Sequence, residues 1–184
     1  MKKIILIAAS FVSFGFAANA QTNATGTATQ TVNLALSNAL EITFTGSTTN
    51  VGATVALPFT TVNDYANGVE SGAQELKVRS NKNFTVNVKA SAANFTTTTG
   101  GVTSASTMPV SGVLNLLVAS NNTAGAIANG FNAYTTLTSA PQDLITNASK
   151  GGNQTFSVKY KATPGFAYPA ATYSTDVIYT ATQQ

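Results

Sequence analysis

Leu76-Lys77-Val78-Arg79-Ser80-Asn81-Lys82-Asn83-Phe84-Thr85-Val86-Asn87-Val88-Lys89 is the stretch that decides the fold class. Leu76 and Val78 alternate with Lys77 and Arg79. Phe84, Val86 and Val88 then alternate with Thr85, Asn87 and Lys89. A period of two puts every apolar side chain on one face of an extended strand and every polar one on the other. The four residues between the runs, Ser80-Asn81-Lys82-Asn83, are polar and contain two Asn. Asn tolerates positive φ, so the segment reads as a hairpin turn.

The same period recurs on both sides of this stretch. It appears in Val32, Leu34 and Leu36, in Leu40, Ile42 and Phe44, and in Leu114 and Leu116, where Leu117 complicates it. It returns in Phe156, Val158 and Tyr160, and closes with Tyr173, Thr175, Val177 and Tyr179. Gly100-Gly101, Asn121-Asn122, Gly151-Gly152-Asn153 and Pro164-Gly165 punctuate these runs. A second hairpin is expected between Lys159 and Asp176, turned at Pro164 to Pro169. Ser139 to Asn147 reads as one helical turn. Asn94 to Thr107 and Thr123 to Ala133 read as loops or weak edge strands. About eight to ten short strands predict an all-β, antiparallel sandwich.

The N-terminus predicts export. Lys2 and Lys3 precede an apolar stretch, Ile4 to Phe16, that is too short to span a bilayer, and Ala18-Asn19-Ala20 supplies the small residues of a cleavage site. Residues 1–20 are therefore expected to be a cleaved signal peptide, 21–30 a loose leader, and 31–184 one domain. No later stretch is apolar enough for a transmembrane segment. The expected localisation is extracellular, on the cell surface or in the periplasm. Cleavage removes two of nine basic residues and leaves seven against six acidic ones, a net charge of +1. A nucleic-acid partner is not expected, because that requires a dense basic stripe.

Chemistry is scarce. The chain has no Cys and no His, so the usual base, thiolate and soft metal ligands are missing. No spacing resembles a Ser-x-x-Lys site. The carboxylates Glu41, Asp64, Glu70, Glu75, Asp143 and Asp176 stand singly, as solvated charges more than as a glycosidase pair. Asn63-Asp64-Tyr65-Ala66-Asn67-Gly68 offers oxygen ligands but lacks the alternating acids of a calcium loop. An Asx-turn with Tyr65 packed inward is the preferred reading. The expectation is a non-enzyme with no cofactor and no metal. Lys77, Arg79, Lys89, Lys159 and Lys161 would form a basic outer face if their strands share a sheet. Their simpler role is to keep sheet edges soluble. Phe166 and Tyr168, in a Pro-bounded turn, are candidate glycan contacts, since exposed aromatics stack on sugar rings.

Ala171 to Gln184, ATYSTDVIYTATQQ, resembles the last strand of secreted bacterial pilin-type sandwiches, including the spore coat U group. Pro169, Tyr173, Asp176, Val177 and Tyr179 occupy that pattern. Lys77 to Ser91, KVRSNKNFTVNVKAS, resembles a hairpin of such domains. Many chaperone-assembled pilins carry a disulfide, which this chain cannot form. The resemblance implies an immunoglobulin-like β-sandwich whose edge is completed by a strand, in some cases a neighbour's. Val32, Leu34 and Leu36 are then the candidate donor strand, and pairing within the same domain is the simpler alternative. The expected function is an exported, pilin-like structural subunit acting through protein–protein contacts, with a glycan-binding module or adhesin as the alternative. Expected partners are the chain itself, other surface subunits, or surface polysaccharide.

Overall fold

The computed structural model of the chain describes residues 25–47 and 49–184. The expected signal peptide, 1–20, and the start of the leader lie outside the described residues. The chain divides into two units, Met1–Ala35 and Leu36–Gln184. In the first, residues 25–35 carry no regular secondary structure. Val32 and Leu34 are 72% and 79% exposed, and Leu36, at the start of the second unit, is 88% exposed. The strand expected over Val32 to Leu36 is therefore not formed. Alternation prepares a face, but a strand also needs a partner ladder.

In chain order the second unit contains β1 (Leu40–Phe44), α1 (Val62–Asn67), β2 (Val69–Glu70), β3 (Gln74–Ser80), β4 (Phe84–Ala90), β5 (Asn94–Thr99) and β6 (Val102–Pro109). It continues through β7 (Leu114–Asn121), β8 (Ala126–Ile127), β9 (Thr135–Thr136), β10 (Gln142–Ala148), β11 (Gly151–Ala162), β12 (Thr172–Ser174) and β13 (Val177–Gln183). All pairings are antiparallel. One sheet runs β1-β3-β11-β7-β9, with β2 also on β11. A second runs β13-β4-β10-β8, and a third β12-β5-β6.

The first two sheets pack face to face. Leu76 and Val78 of β3, Leu116 of β7, and Phe156 and Val158 of β11 meet Phe84, Val86 and Val88 of β4 and Leu144 and Ile145 of β10, all at most 1% exposed. Each such side chain contributes about 1.5–3 kcal/mol through burial, the main term holding a fold without disulfides. The third sheet joins the same core through Phe95 and Met108. Its β5–β6 turn, Gly100-Gly101, has φ of 59° and 82°. That is the geometry of a two-residue hairpin turn that glycine accepts without strain.

Several connections differ from the reading of the sequence. Ser80 to Asn83 is not a hairpin turn, because β3 lies in the first sheet and β4 in the second. The segment is an arch between layers. Pro164 to Pro169 likewise leads from β11 in the first sheet to β12 in the third. Periodicity fixes a strand's inward face but not its neighbour. Ser139 to Asn147 is mostly β10, not a helical turn. A bulge between Asp143 and Ile145 buries both Leu144 and Ile145, which breaks the two-residue period. Asn94 to Thr107 forms the β5–β6 hairpin. Lys77 and Arg79 on β3 share a sheet with Lys159 and Lys161 on β11, but Lys89 lies in the other sheet. Two of these cations are paired: Arg79 Nη1 with Glu41 Oε2 at 3.5 Å, and Lys161 Nζ with Glu70 Oε1 at 3.2 Å.

Candidate functional site

β1 and β13 are the edge strands of the two main sheets, and they approach each other along one side of the sandwich. Neither pairs with the other. Among the described residues, β1 forms a ladder with β3 and no other strand, and β13 with β4 and no other strand. On β13, Asp176 O accepts from Ser91 N at 2.9 Å and Gln184 N donates to Asn83 O at 2.9 Å. Antiparallel ladder bonds alternate, so Ile178, Thr180 and Thr182 bond β4, while the backbone groups of Val177, Tyr179 and Ala181 point off the free edge. On β1, Thr45 N donates to Glu75 O at 2.8 Å and Asn81 N to Ala39 O at 3.2 Å. The same alternation turns the backbone groups of Leu40, Ile42 and Phe44 away from β3; Phe44 O accepts from Ser47 N at 3.1 Å, and the others take no backbone partner among the described residues. Both edges thus offer unpaired backbone beside side chains that lean on the core.

Between these edges lies a groove of about 1280 Å³. Its floor includes Leu76, Phe95, Met108, Leu114 and Tyr160, and its walls are Ile42 to Phe44 on one side and Thr172 to Tyr179 on the other. The side chain of Gln183 stitches one end: Nε2 lies 2.8 Å from Ala39 O, 3.0 Å from Asn81 Oδ1 and 3.1 Å from Ser80 Oγ. Tyr179 stands in the wall, with its ring 6.1 Å from that of Phe44 and its hydroxyl 2.7 Å from that of Tyr160. Burial raises both phenols above their ordinary value, Tyr179 well above it. They stay neutral at physiological pH, so one hydroxyl donates to the other.

A segment absent from the sheets lies along the groove. Gly52 to Phe59 has no regular secondary structure, yet Val55, Leu57 and Phe59 are half-buried against the core and alternate with exposed Ala56 and Pro58. Gly52 fits against the Phe44 ring, where a Cβ would stand 2.9 Å from two ring carbons. Phe59 meets Tyr65 at 5.3 Å between centroids. Just beyond it, the Asp64 carboxylate of α1 accepts from the Thr60 and Thr61 amides at 2.8 and 2.7 Å. Those two amides, Thr61 first, hold its carboxyl below the usual carboxylate range. Thr61 Oγ1 accepts in return from Asp64 N, which completes a capping box. The Asn63 to Gly68 segment is thus a short capped helix instead of an Asx-turn, with Asp64 committed to the cap. Tyr65 packs between Phe59 and Phe166.

The proposed glycan contacts are not brought together. Phe166 is 68% exposed and stacks on Tyr65 at 5.5 Å and 21°. Tyr168 is half-buried, edge-on to Tyr173 at 6.5 Å, while Tyr173 donates to Pro169 O. Glu70 accepts from Tyr134 and Lys161, and both bonds lower its carboxyl. Partial burial, then Glu70, pushes Tyr134 up to about 12. This clasp ties β2 and β11 to the chain before β9. Among the described residues no cluster of acidic side chains can hold a metal, and no helix is long and apolar enough to cross a membrane. The groove itself escaped the sequence reading. The one signal for it was the alternation of Val55, Leu57 and Phe59 inside NVGATVALPF, Asn50 to Phe59. No family model matches the chain, and no curated protein matches it.

Proposed function

We propose that the protein is an exported, pilin-like structural subunit on an immunoglobulin-like sandwich, working through protein–protein contacts. The groove between β1 and β13 is its receptor site, and Thr31 to Leu36 of a second copy is the guest. The observation that carries this reading is a mostly apolar groove flanked by two strand edges whose outward backbone groups, Phe44 O apart, take no backbone partner among the described residues. A guest strand satisfies such groups and fills the pockets between them with alternate side chains. Val32, Leu34 and Leu36 have that alternation and are exposed. Six extended residues span about 20 Å, close to the length of β13. Leu34→Asp would carry an unpaired charge into the groove. The expected result in sedimentation is concentration-dependent assembly of the natural chain and a monomeric Leu34→Asp variant with unchanged thermal unfolding. Assembly that survives the substitution, or loss of cooperative unfolding in the monomer, overturns the donor role.

The exposed ring of Phe166 favours one other reading, a glycan-binding module or adhesin. On a glycan array that reading requires binding which Phe166→Ala removes. Binding that persists in the variant excludes the loop-stacking site.

A further inference from the structure

The segment Gly52 to Phe59 fills a place where a strand belongs, without being one. Its side chains alternate like a strand's, and Val55, Leu57 and Phe59 rest on the core. Among the described residues, however, none of its backbone groups from Gly52 to Phe59 takes a backbone hydrogen bond. Pro58 has no amide to give. Among the described residues the segment is fastened by hydrogen bonds only at its ends. On one side Ser47 Oγ donates to Val51 O at 3.1 Å and Gly52 sits against Phe44. On the other, Asp64 holds the Thr60 and Thr61 amides. Between these anchors it is retained by half-buried apolar contact alone.

Such a segment covers apolar surface but leaves the edges of β1 and β13 unpaired. An incoming strand would bury comparable side chains and also form the ladder. The ladder bonds favour the exchange once the segment has moved aside, and the hydrogen-bonded anchors, at Val51 and at Thr60 and Thr61, lie outside the run that must move. We infer that Gly52 to Phe59 is a displaceable strap: it shields the groove in the lone subunit and yields it to an incoming strand. The exchange rests on the receptor reading above, and the shielding does not. The strap lets an exported subunit travel without an open apolar slot, a surface that otherwise invites aggregation.

Three measurements test it. Hydrogen exchange on the natural protein should find the amides of Gly52 to Leu57 nearly unprotected while Ile178 and Thr180 of β13 are protected. Strongly protected strap amides overturn the proposal. Leu57→Asp should then expel the strap, and Asp64→Ala should free its far anchor without touching the groove lining. Both should raise the fluorescence of an apolar dye severalfold while unfolding stays cooperative. A folded variant with unchanged dye binding overturns the proposal. If Leu57→Asp does not fold, Asp64→Ala and the exchange data decide. Finally, a synthetic peptide of residues 25–39 should bind the variants faster, by about tenfold where the open form of the natural protein is about a tenth of the population. A peptide that binds natural and variant proteins at one rate overturns displacement. A peptide that binds neither, although the variants take up dye, overturns the receptor reading and leaves the strap as a cover.

Discussion

β13 and the strap are two extended segments that present alternate apolar side chains to the same groove. In β13 these are Val177 and Tyr179; in the strap they are Val55, Leu57 and Phe59. What separates them is the backbone. β13 pairs with β4 along its whole length, from Val177↔Ala90 to Gln183↔Phe84, whereas Gly52 to Phe59 pairs with nothing among the described residues. Side-chain periodicity therefore reports burial, and hydrogen bonding decides whether the buried segment is a fixed wall or a removable cover.

The largest expected contrast is in side-chain truncation. Tyr179→Ala removes a ring packed on Phe44 and Phe156 and the hydroxyl bonded to Tyr160. It should cost about 3–4 kcal/mol in chemical denaturation, against about 1 kcal/mol for Leu57→Ala in the half-buried strap. Equal losses would erase the distinction between wall and cover.

Proline substitution probes the backbone directly. Thr180→Pro deletes a ladder bond to β4 and should cost about 2–3 kcal/mol, whereas Ala56→Pro deletes none and should stay within about 0.5 kcal/mol. A large loss at Ala56 would mean that the strap carries hydrogen bonds after all.

Solution pH separates the two segments in opposite directions. The phenols of Tyr160 and Tyr179 are raised by burial, so their contribution is complete below the ordinary phenol value of 10.0 and is lost as pH rises beyond it. Stability should fall by up to about 1.4 kcal/mol per pH unit for each such phenol, and Tyr179→Phe should flatten that decline. A denaturation midpoint insensitive to alkali would show that the pair is not held in the wall.

The smallest effect is at acid pH. Asp64 is lowered by the Thr61 and Thr60 amides, so its contribution is present above the ordinary value of 3.8 and is lost as pH falls through its lower folded value. Dye uptake in the groove should rise there before global unfolding, and Asp64→Ala should show that uptake already at neutral pH. Uptake that rises only with unfolding would detach the cap from the strap.

The strands were legible wherever one face is buried and the other is wet. β3, β4 and β13 each follow a two-residue period that survives in the structure as alternating burial, and β11 does so from Val158 onward, after a register shift beside the buried Ser157. The bulge in β10 hid a strand because two consecutive residues turn inward. The Thr-rich β5 and β6 hid because their side chains carry little polarity contrast between faces. Sheet membership was not legible at Ser80 to Asn83, since the same Asn-rich turn chemistry serves a hairpin and an arch between layers. The groove was illegible for a different reason. It is made by what β1 and β13 fail to pair with, and an unmade bond leaves no mark on the residues that lack it. The exposed Val32, Leu34 and Leu36 were visible as a pattern, but their lack of a partner ladder was not.

The stitch at Gln183 has a directional consequence. One side-chain amide, with two hydrogens shared among the oxygens of Ala39, Ser80 and Asn81, ties the end of β13 to the start of β1, while the groove itself lies toward Phe44 and Val177. Alternation alone fixes the register of an inserted strand only to within multiples of two residues. In the proposed exchange this tie would act as a blind end, halting the occupant's leading residue and so removing that ambiguity. Insertion would then have one sense of travel and one stopping point. Units joined in this way would have a head and a tail, and head-to-tail contacts that do not close on themselves propagate as open fibres.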